Sequence, residues 1–137
     1  MTTFPTTPPP AGPPCARRTI LVVDDDPLVL DITERLLRSL DCDVVPARDG
    51  EEALRLFLAR RGGIDLALVD LTMPRMGGEE ILRQLRRLSP DLPLVLMSGY
   101  PTHEAIHRLE GVELAGCLQK PFRLGALSDM LPLAVGG

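Results

Sequence analysis

Three short apolar runs in this chain each stop abruptly at a charged residue. Ile20-Leu21-Val22-Val23 runs into Asp24-Asp25-Asp26, Leu66-Ala67-Leu68-Val69 runs into Asp70, and Leu114-Ala115-Gly116-Cys117-Leu118-Gln119 ends at Lys120-Pro121. Runs this short and apolar read as strands buried on both faces, the mark of a parallel sheet. Such sheets carry their functional groups just past the carboxyl ends of the strands. If the three strands are neighbours, several carboxylates and one ammonium meet in a single crevice. Lys120 is the only lysine among fifteen basic residues, so its position there is conspicuous.

Between the runs, helical patterns alternate with strands. Asp26 as N-cap and Pro27 at the first helical position open a helix whose core-facing stripe reads as Val29, Ile32, Leu36 and Leu40. A strand around Asp43-Val44-Val45 leads to Asp49 and Glu52, spaced as a capping box, and the helix they open stops near Gly62-Gly63. Strand 65–69 delivers Asp70. After the loop Leu71-Thr72-Met73-Pro74-Arg75-Met76-Gly77-Gly78 comes a helix with Ile81, Leu85 and Leu88 on one face. Strand 93–97 ends in Ser98-Gly99. A short helix near 102–110, a strand over 114–118 and a last helix from about 123 complete the series. Five strands alternating with five helices imply an α/β fold with a doubly wound parallel sheet.

Residues 1–18 differ from the rest. Pro5, Pro8, Pro9, Pro10, Pro13 and Pro14 sit among threonines and Phe4, a composition that buries too little to offset its ordering entropy. They read as a flexible or polyproline-like arm or linker, with the domain proper spanning 19–135. The formal net charge of −4 argues against nonspecific nucleic-acid binding, which needs a basic face. No apolar stretch approaches the roughly 18 residues of a membrane span. The scattered Cys15, Cys42 and Cys117 have no metal-ligand spacing and suggest a reducing, cytoplasmic setting.

The crevice suggests phosphoryl chemistry. Adjacent acids at the end of a buried strand repel each other unless a cation is bound. Asp70 is placed to act as a nucleophilic carboxylate. Asp25, helped by Asp24, would hold a hard cation such as Mg²⁺, with Asp70 and the backbone carbonyl of Thr72 completing the protein ligands. Lys120 would pair with the Asp70 carboxylate and then with a phosphoryl oxygen, and the Ser98 hydroxyl would donate to another. Asp26 reads as a helix cap, and His103 and His107, one helical turn apart, as solvated helix residues.

Asp24-Asp25, Asp70 with Met73-Pro74 and Gly77-Gly78, Ser98-Gly99 and Lys120-Pro121-Phe122 together resemble a response-regulator receiver domain, in order and at similar spacing from Thr19 to about Val135. The resemblance implies a flavodoxin-like five-stranded sheet of order 2-1-3-4-5. It implies that Asp70 accepts a phosphoryl group from a phosphohistidine of a histidine kinase or histidine phosphotransfer domain, with Mg²⁺ required. Asp24 and Asp25 would be the acidic pair, Ser98 the switch hydroxyl and Lys120 the family's lysine. Such a domain catalyses only its own phosphorylation and slow dephosphorylation, and phosphorylation-dependent dimers are among its implied assemblies. The wording around Ser98-Gly99-Tyr100 and Leu118-Gln119-Lys120-Pro121 is similar to receivers attached to hybrid histidine kinases, so the chain reads as a stand-alone receiver or as part of a larger kinase.

One residue departs from the pattern. Receivers usually carry tyrosine or phenylalanine three residues before the lysine, where this chain has Cys117, which puts the usual switch movement in doubt. A cis peptide between Lys120 and Pro121 is expected in the turn after the last strand. Two other readings remain. A haloacid-dehalogenase-type phosphatase or phosphotransferase would use Asp24-x-Asp26, though Leu28 departs from its pattern. A non-phosphorylated receiver-like binding module would keep the fold without the chemistry.

Overall fold

The fold, obtained as a computed structural model, is described for residues 17–71, 77–99, 109 and 111–134. In chain order these form β1 (Thr19–Val23), α1 (Pro27–Ser39), β2 (Asp43–Ala47), α2 (Gly50–Ala59), β3 (Leu66–Asp70), α3 (Gly78–Leu88), β4 (Leu94–Ser98), β5 (Gly116–Gln119) and α4 (Leu124–Met130), followed by a 3-10 turn (Leu131–Leu133). The helix expected near 102–110 lies outside the described residues apart from Leu109, as do Cys15, His103 and His107. Among the described residues there are four α-helices, and none is long and apolar enough to cross a membrane.

All strand pairs are parallel, in the order β2-β1-β3-β4-β5. The parallel sheet is what the alternating pattern implied, and its flavodoxin-like order is what the family resemblance implied. Strand alternation divides the core into two layers. Leu21, Val23, Ala67, Val69, Leu94 and Leu96 point to the side covered by α2 and α3, where Phe57, Ile81, Leu82 and Leu85 are buried. Ile20, Val22, Leu66, Leu68, Val95 and Met97 point to the side of α1 and α4, against Leu30, Leu37, Leu127 and Met130. With both faces covered, β1, β3 and β4 are apolar except at one end each, at Thr19, Asp70 and Ser98. β5 is an edge strand, half-buried, and starts two residues later than its apolar run.

Local signals set the helix ends. Asp26 Oδ1 accepts from the N–H groups of Leu28 and Val29 at 3.0 and 3.4 Å. Asp49 accepts from Glu52 N–H at 2.8 Å, while the Glu52 carboxylate reaches back to Arg48 N–H at 2.7 Å. Past α2, Gly62 takes a φ of +86°, a left-handed conformation that costs glycine little. At the amino ends of β4 and β5, the Arg86 guanidinium donates to the carbonyls of Pro90 and Leu92 at 2.8 Å each and of Glu113 at 2.6 Å. One side chain of α3 thereby gathers the entries of two strands.

The stripe expected on α1 is out of phase. Leu30, Thr33 and Leu37 are the buried residues, whereas Ile32 is 47% exposed and Val29, Leu36 and Leu40 are only partly covered. Two apolar rows run side by side on this helix, and the sequence reading named only the one without a threonine. The sheet instead takes the row with two leucines and leaves β-branched Ile32 at its margin. Leu37→Ala should therefore lower the unfolding free energy by about 2–5 kcal/mol, and Ile32→Ala by less than about 1 kcal/mol. Urea transitions will separate the two; equal losses would restore the original phase.

Candidate functional site

Register gathers charge at the carboxyl edge of the sheet. Val23 and Val69 are partners on adjacent strands, so Asp24 and Asp70, the next residue on each, emerge side by side. One carboxylate oxygen from each of Asp24, Asp25 and Asp70 lies within 4.8 Å of the other two. Asp24 is fully buried and Asp70 is 3% exposed, whereas Asp25 faces solvent. Met97 is the register partner of Asp70, which places Ser98, also fully buried, one residue further along the neighbouring strand.

Lys120 closes this edge from β5. Its Nζ donates to Asp24 Oδ2 at 2.8 Å and lies 3.3 Å from Asp70 Oδ1. Its backbone N–H donates to the Ser98 carbonyl at 2.7 Å, and its peptide bond to Pro121 is cis, as expected. The other Asp24 oxygen accepts from Asp26 N–H at 2.9 Å. Burial acts most strongly on the ammonium and opposes its charge. The hydrogen bond to Asp24 and the charges of Asp70 and Asp24 together outweigh that, holding its pKa above the ordinary 10.5.

The structure thus brings Asp24, Asp25, Asp70 and Lys120 together and sets Ser98 at the adjoining strand end. It differs from the sequence reading in emphasis, because the shorter Lys120 contact is to Asp24. Thr72, whose carbonyl was expected to join the cation ligands, lies outside the described residues, as do Met73, Pro74 and Tyr100. Asp26 spends its Oδ1 on the α1 N-terminus, so Asp24-x-Asp26 does not act as a pair here. Cys117 sits on β5 opposite Leu96, half-buried against the α2–α3 layer.

The sequence reading gave Gly78 no spatial role. A Cβ on Gly78 would fall on the Asp70 carbonyl oxygen and within 2.6 Å of Leu71 Cα. Its N–H donates to the Leu71 carbonyl at 3.1 Å, and Leu71 N–H donates to Met97 O at 2.8 Å. The α3 N-terminus is therefore pressed onto the backbone that carries Asp70. A glycine in the first turn of a strongly patterned helix was the available signal, since helix propensity disfavours it there.

The family model of the response regulator receiver domain matches residues 20–132. The sensor kinase CckA of Brucella abortus (strain 2308) is 35% identical over 94 residues, covering 69% of this chain and 10% of that protein. The chain spans between 10% and 40% of the length of the curated relatives it matches. Among solved structures, the chemotaxis protein CheY4 of Vibrio cholerae superposes with a TM-score of 0.79 at 28% identity, covering 85% of this chain and 98% of that one. The response regulator TrrA of Thermotoga maritima, in complex with Mg²⁺ and BeF, does so with a TM-score of 0.72 at 26% identity, covering 84% and 96%.

Two outcomes follow from this geometry. Gly78→Ala should destabilise the fold by about 2–3 kcal/mol through overpacking against backbone, although helix propensity alone favours alanine by about 1 kcal/mol. Denaturant melts decide the sign. Lys120→Met should cost about 3–5 kcal/mol by stranding buried carboxylates. Because the folded pKa of Lys120 is raised, its stabilising contribution is fully present below pH 10.5 and is lost as pH rises through the folded value. The stability gap between wild type and Lys120→Met should stay flat from neutral pH upward and narrow only in that alkaline range. A gap that closes near neutral pH contradicts the pairing.

Proposed function

This chain belongs to the response regulator receiver domain family, and we propose that it serves as a phosphoacceptor in two-component or phosphorelay signalling, with Asp70 as the residue that takes the phosphoryl group. The observation that carries this reading is the three-carboxylate cluster at adjacent strand ends, bridged by one ammonium from β5. A structural ion pair needs one acid for one base. Three acids around one lysine leave excess negative charge, which suits a site whose occupant is cationic.

The donor is a phosphohistidine of a histidine kinase or histidine phosphotransfer domain. An Asp70 carboxylate oxygen attacks phosphorus, the bond from phosphorus to the donor's imidazole nitrogen breaks, and the imidazole departs with that electron pair. Lys120, already 3.3 Å from Asp70 Oδ1, transfers its attraction to a phosphoryl oxygen as charge grows there. The Ser98 hydroxyl donates to another. Asp24 keeps the ammonium in position through its 2.8 Å hydrogen bond. All-oxygen donors suit a hard divalent cation, which Asp24, Asp25, Asp70 and the Thr72 carbonyl would hold. Mg²⁺ bound there supplies positive charge against the phosphoryl oxygens.

The domain is a signalling switch rather than an enzyme with turnover on a separate substrate, and the chemistry it catalyses is its own phosphorylation and slow dephosphorylation. Residues 19–135 form the receiver and 1–18 an arm or linker ahead of it, in a cytoplasmic setting. Without an aromatic at Cys117, the inward movement of Ser98 has no ring to draw with it. Signal output then relies on the loops around Asp70, on α1, on phosphorylation-dependent pairing of two copies, or on passing the phosphoryl group onward.

Incubation with acetyl phosphate and Mg²⁺ should add one acid-labile phosphoryl group by intact mass. Asp70→Asn should abolish it, and Asp25→Ala should abolish the Mg²⁺-dependent rise in melting temperature. Equal labelling of Asp70→Asn and wild type would sink the assignment.

A further inference from the structure

The second apolar row of α1 does not end at solvent. Val29, Ile32 and Leu36 face Pro121 and Phe122 across a groove of about 290 Å³, with Thr33 in its lining. Charges on the same helix are tied to one another, Arg35 to Asp31 at 3.0 Å and Arg38 to Glu34 at 2.8 Å, which leaves the apolar row uncharged between them. Thr33 is 1% exposed, and its hydroxyl has no hydrogen-bond partner. A rotation of roughly 120° in its χ1 carries the hydroxyl into the position the methyl holds, so an acceptor seated in the groove is within the side chain's reach.

The segment of chain ahead of the described residues has matching chemistry. Residues 1–16 contain no acidic or basic side chain, and they include Phe4, Pro5, Pro8, Pro9, Pro10, Pro13 and Pro14. Their junction with the domain is anchored: Arg17 pairs with Asp43 at 3.3 Å, and the Arg18 carbonyl accepts from Asp43 N–H at 2.8 Å. Asp43 opens β2 just after α1, so the segment leaves the domain near the carboxyl end of that helix. At about 3.1 Å per residue in polyproline II, residues 1–16 extend roughly 50 Å. The thirteen residues of α1 rise only about 20 Å. Reach is ample.

An extended occupant also answers Thr33 better than a helical one. Polyproline II leaves its carbonyls free to accept, whereas a helix consumes its own. Proline-rich segments dock in apolar, aromatic-lined grooves, and Phe122 supplies the aromatic wall.

We propose that residues 1–16 dock as an extended Pro-rich segment in the groove between α1 and Pro121-Phe122, giving the domain an occupant of its own for the surface beside Lys120. This docking does not depend on Asp70 accepting phosphate.

Methyl NMR on the full chain tests it. Nuclear Overhauser contacts are expected between the Ile32 methyls and the ring of Phe4 or the proline side chains. Combined Phe4→Ala, Pro8→Ser, Pro9→Ser and Pro10→Ser substitutions should shift the Ile32 and Leu36 methyl resonances and leave those of Leu82 and Leu85 on α3 unmoved. Ile32→Glu, at a half-exposed position, should abolish the contacts. The arm substitutions alter no residue of the folded domain, so they decide the matter even if Ile32→Glu unfolds. Unchanged Ile32 and Leu36 resonances overturn the proposal. An effect that disappears on tenfold dilution overturns it too, by assigning the groove to the arm of a second copy.

Discussion

The parallel register of β1 and β3 forces Asp24 and Asp70 into one buried place, and the Lys120 ammonium makes that placement tolerable. An uncompensated buried carboxylate costs several kcal/mol, a large fraction of a small domain's whole stability. The compensating charge comes from β5, which is not a neighbour of β1; β3 and β4 lie between them. The pair therefore closes only if four strands hold their order and register. It is a contact of the whole sheet, made at 2.8 Å between residues 96 positions apart. Its balance is incomplete by design of the register, because Asp25 adds a third carboxylate to the same edge.

The two edges of the sheet are managed differently. At the amino edge, Arg86 satisfies carbonyls on the approaches to β4 and β5, and Thr19 N–H donates to the Asp65 carboxylate at 2.8 Å. Backbone carbonyls and an amide of that edge are met by side chains there. At the carboxyl edge, like charges are crowded and a helix N-terminus is driven against the Asp70 backbone, with room only because residue 78 has no side chain. Placing satisfied bonds at one edge and concentrated charge at the other lets the first support the second.

Much of this was legible in the residues. Apolar runs of strand length, the Asp26-Pro27 and Asp49-to-Glu52 caps and the charged residue at each run's end sufficed for the alternation, for the helix starts and for the crevice. The α1 phase was not legible, because two apolar rows offered themselves and burial of Thr33 is a tertiary outcome. The preference of Lys120 for Asp24 was hidden for a similar reason: it depends on how far β5 lies from β1, which no local pattern records. Gly78 needed the approach of α3 to the end of β3, and a sequence shows only that a glycine stands where a better helix former is expected.

The misread phase of α1 bears on the site as well as on the core. One row of the helix, Leu30, Thr33 and Leu37, is committed to the sheet, and the adjoining row with Ile32 stands at the surface beside Pro121 and Phe122. Asp26 caps the same helix and lends its N–H to Asp24. Lys120, which holds Asp24 and Asp70, is continuous through a cis bond with the Pro121-Phe122 wall. The amino-terminal part of α1, through Val29, and the turn at Lys120 thus border the apolar groove, while Asp26 N–H and Lys120 Nζ both reach Asp24 in the charged crevice. Lys120 lines the apolar groove and also holds Asp24, so the apolar surface and the charge cluster adjoin each other and share one side chain.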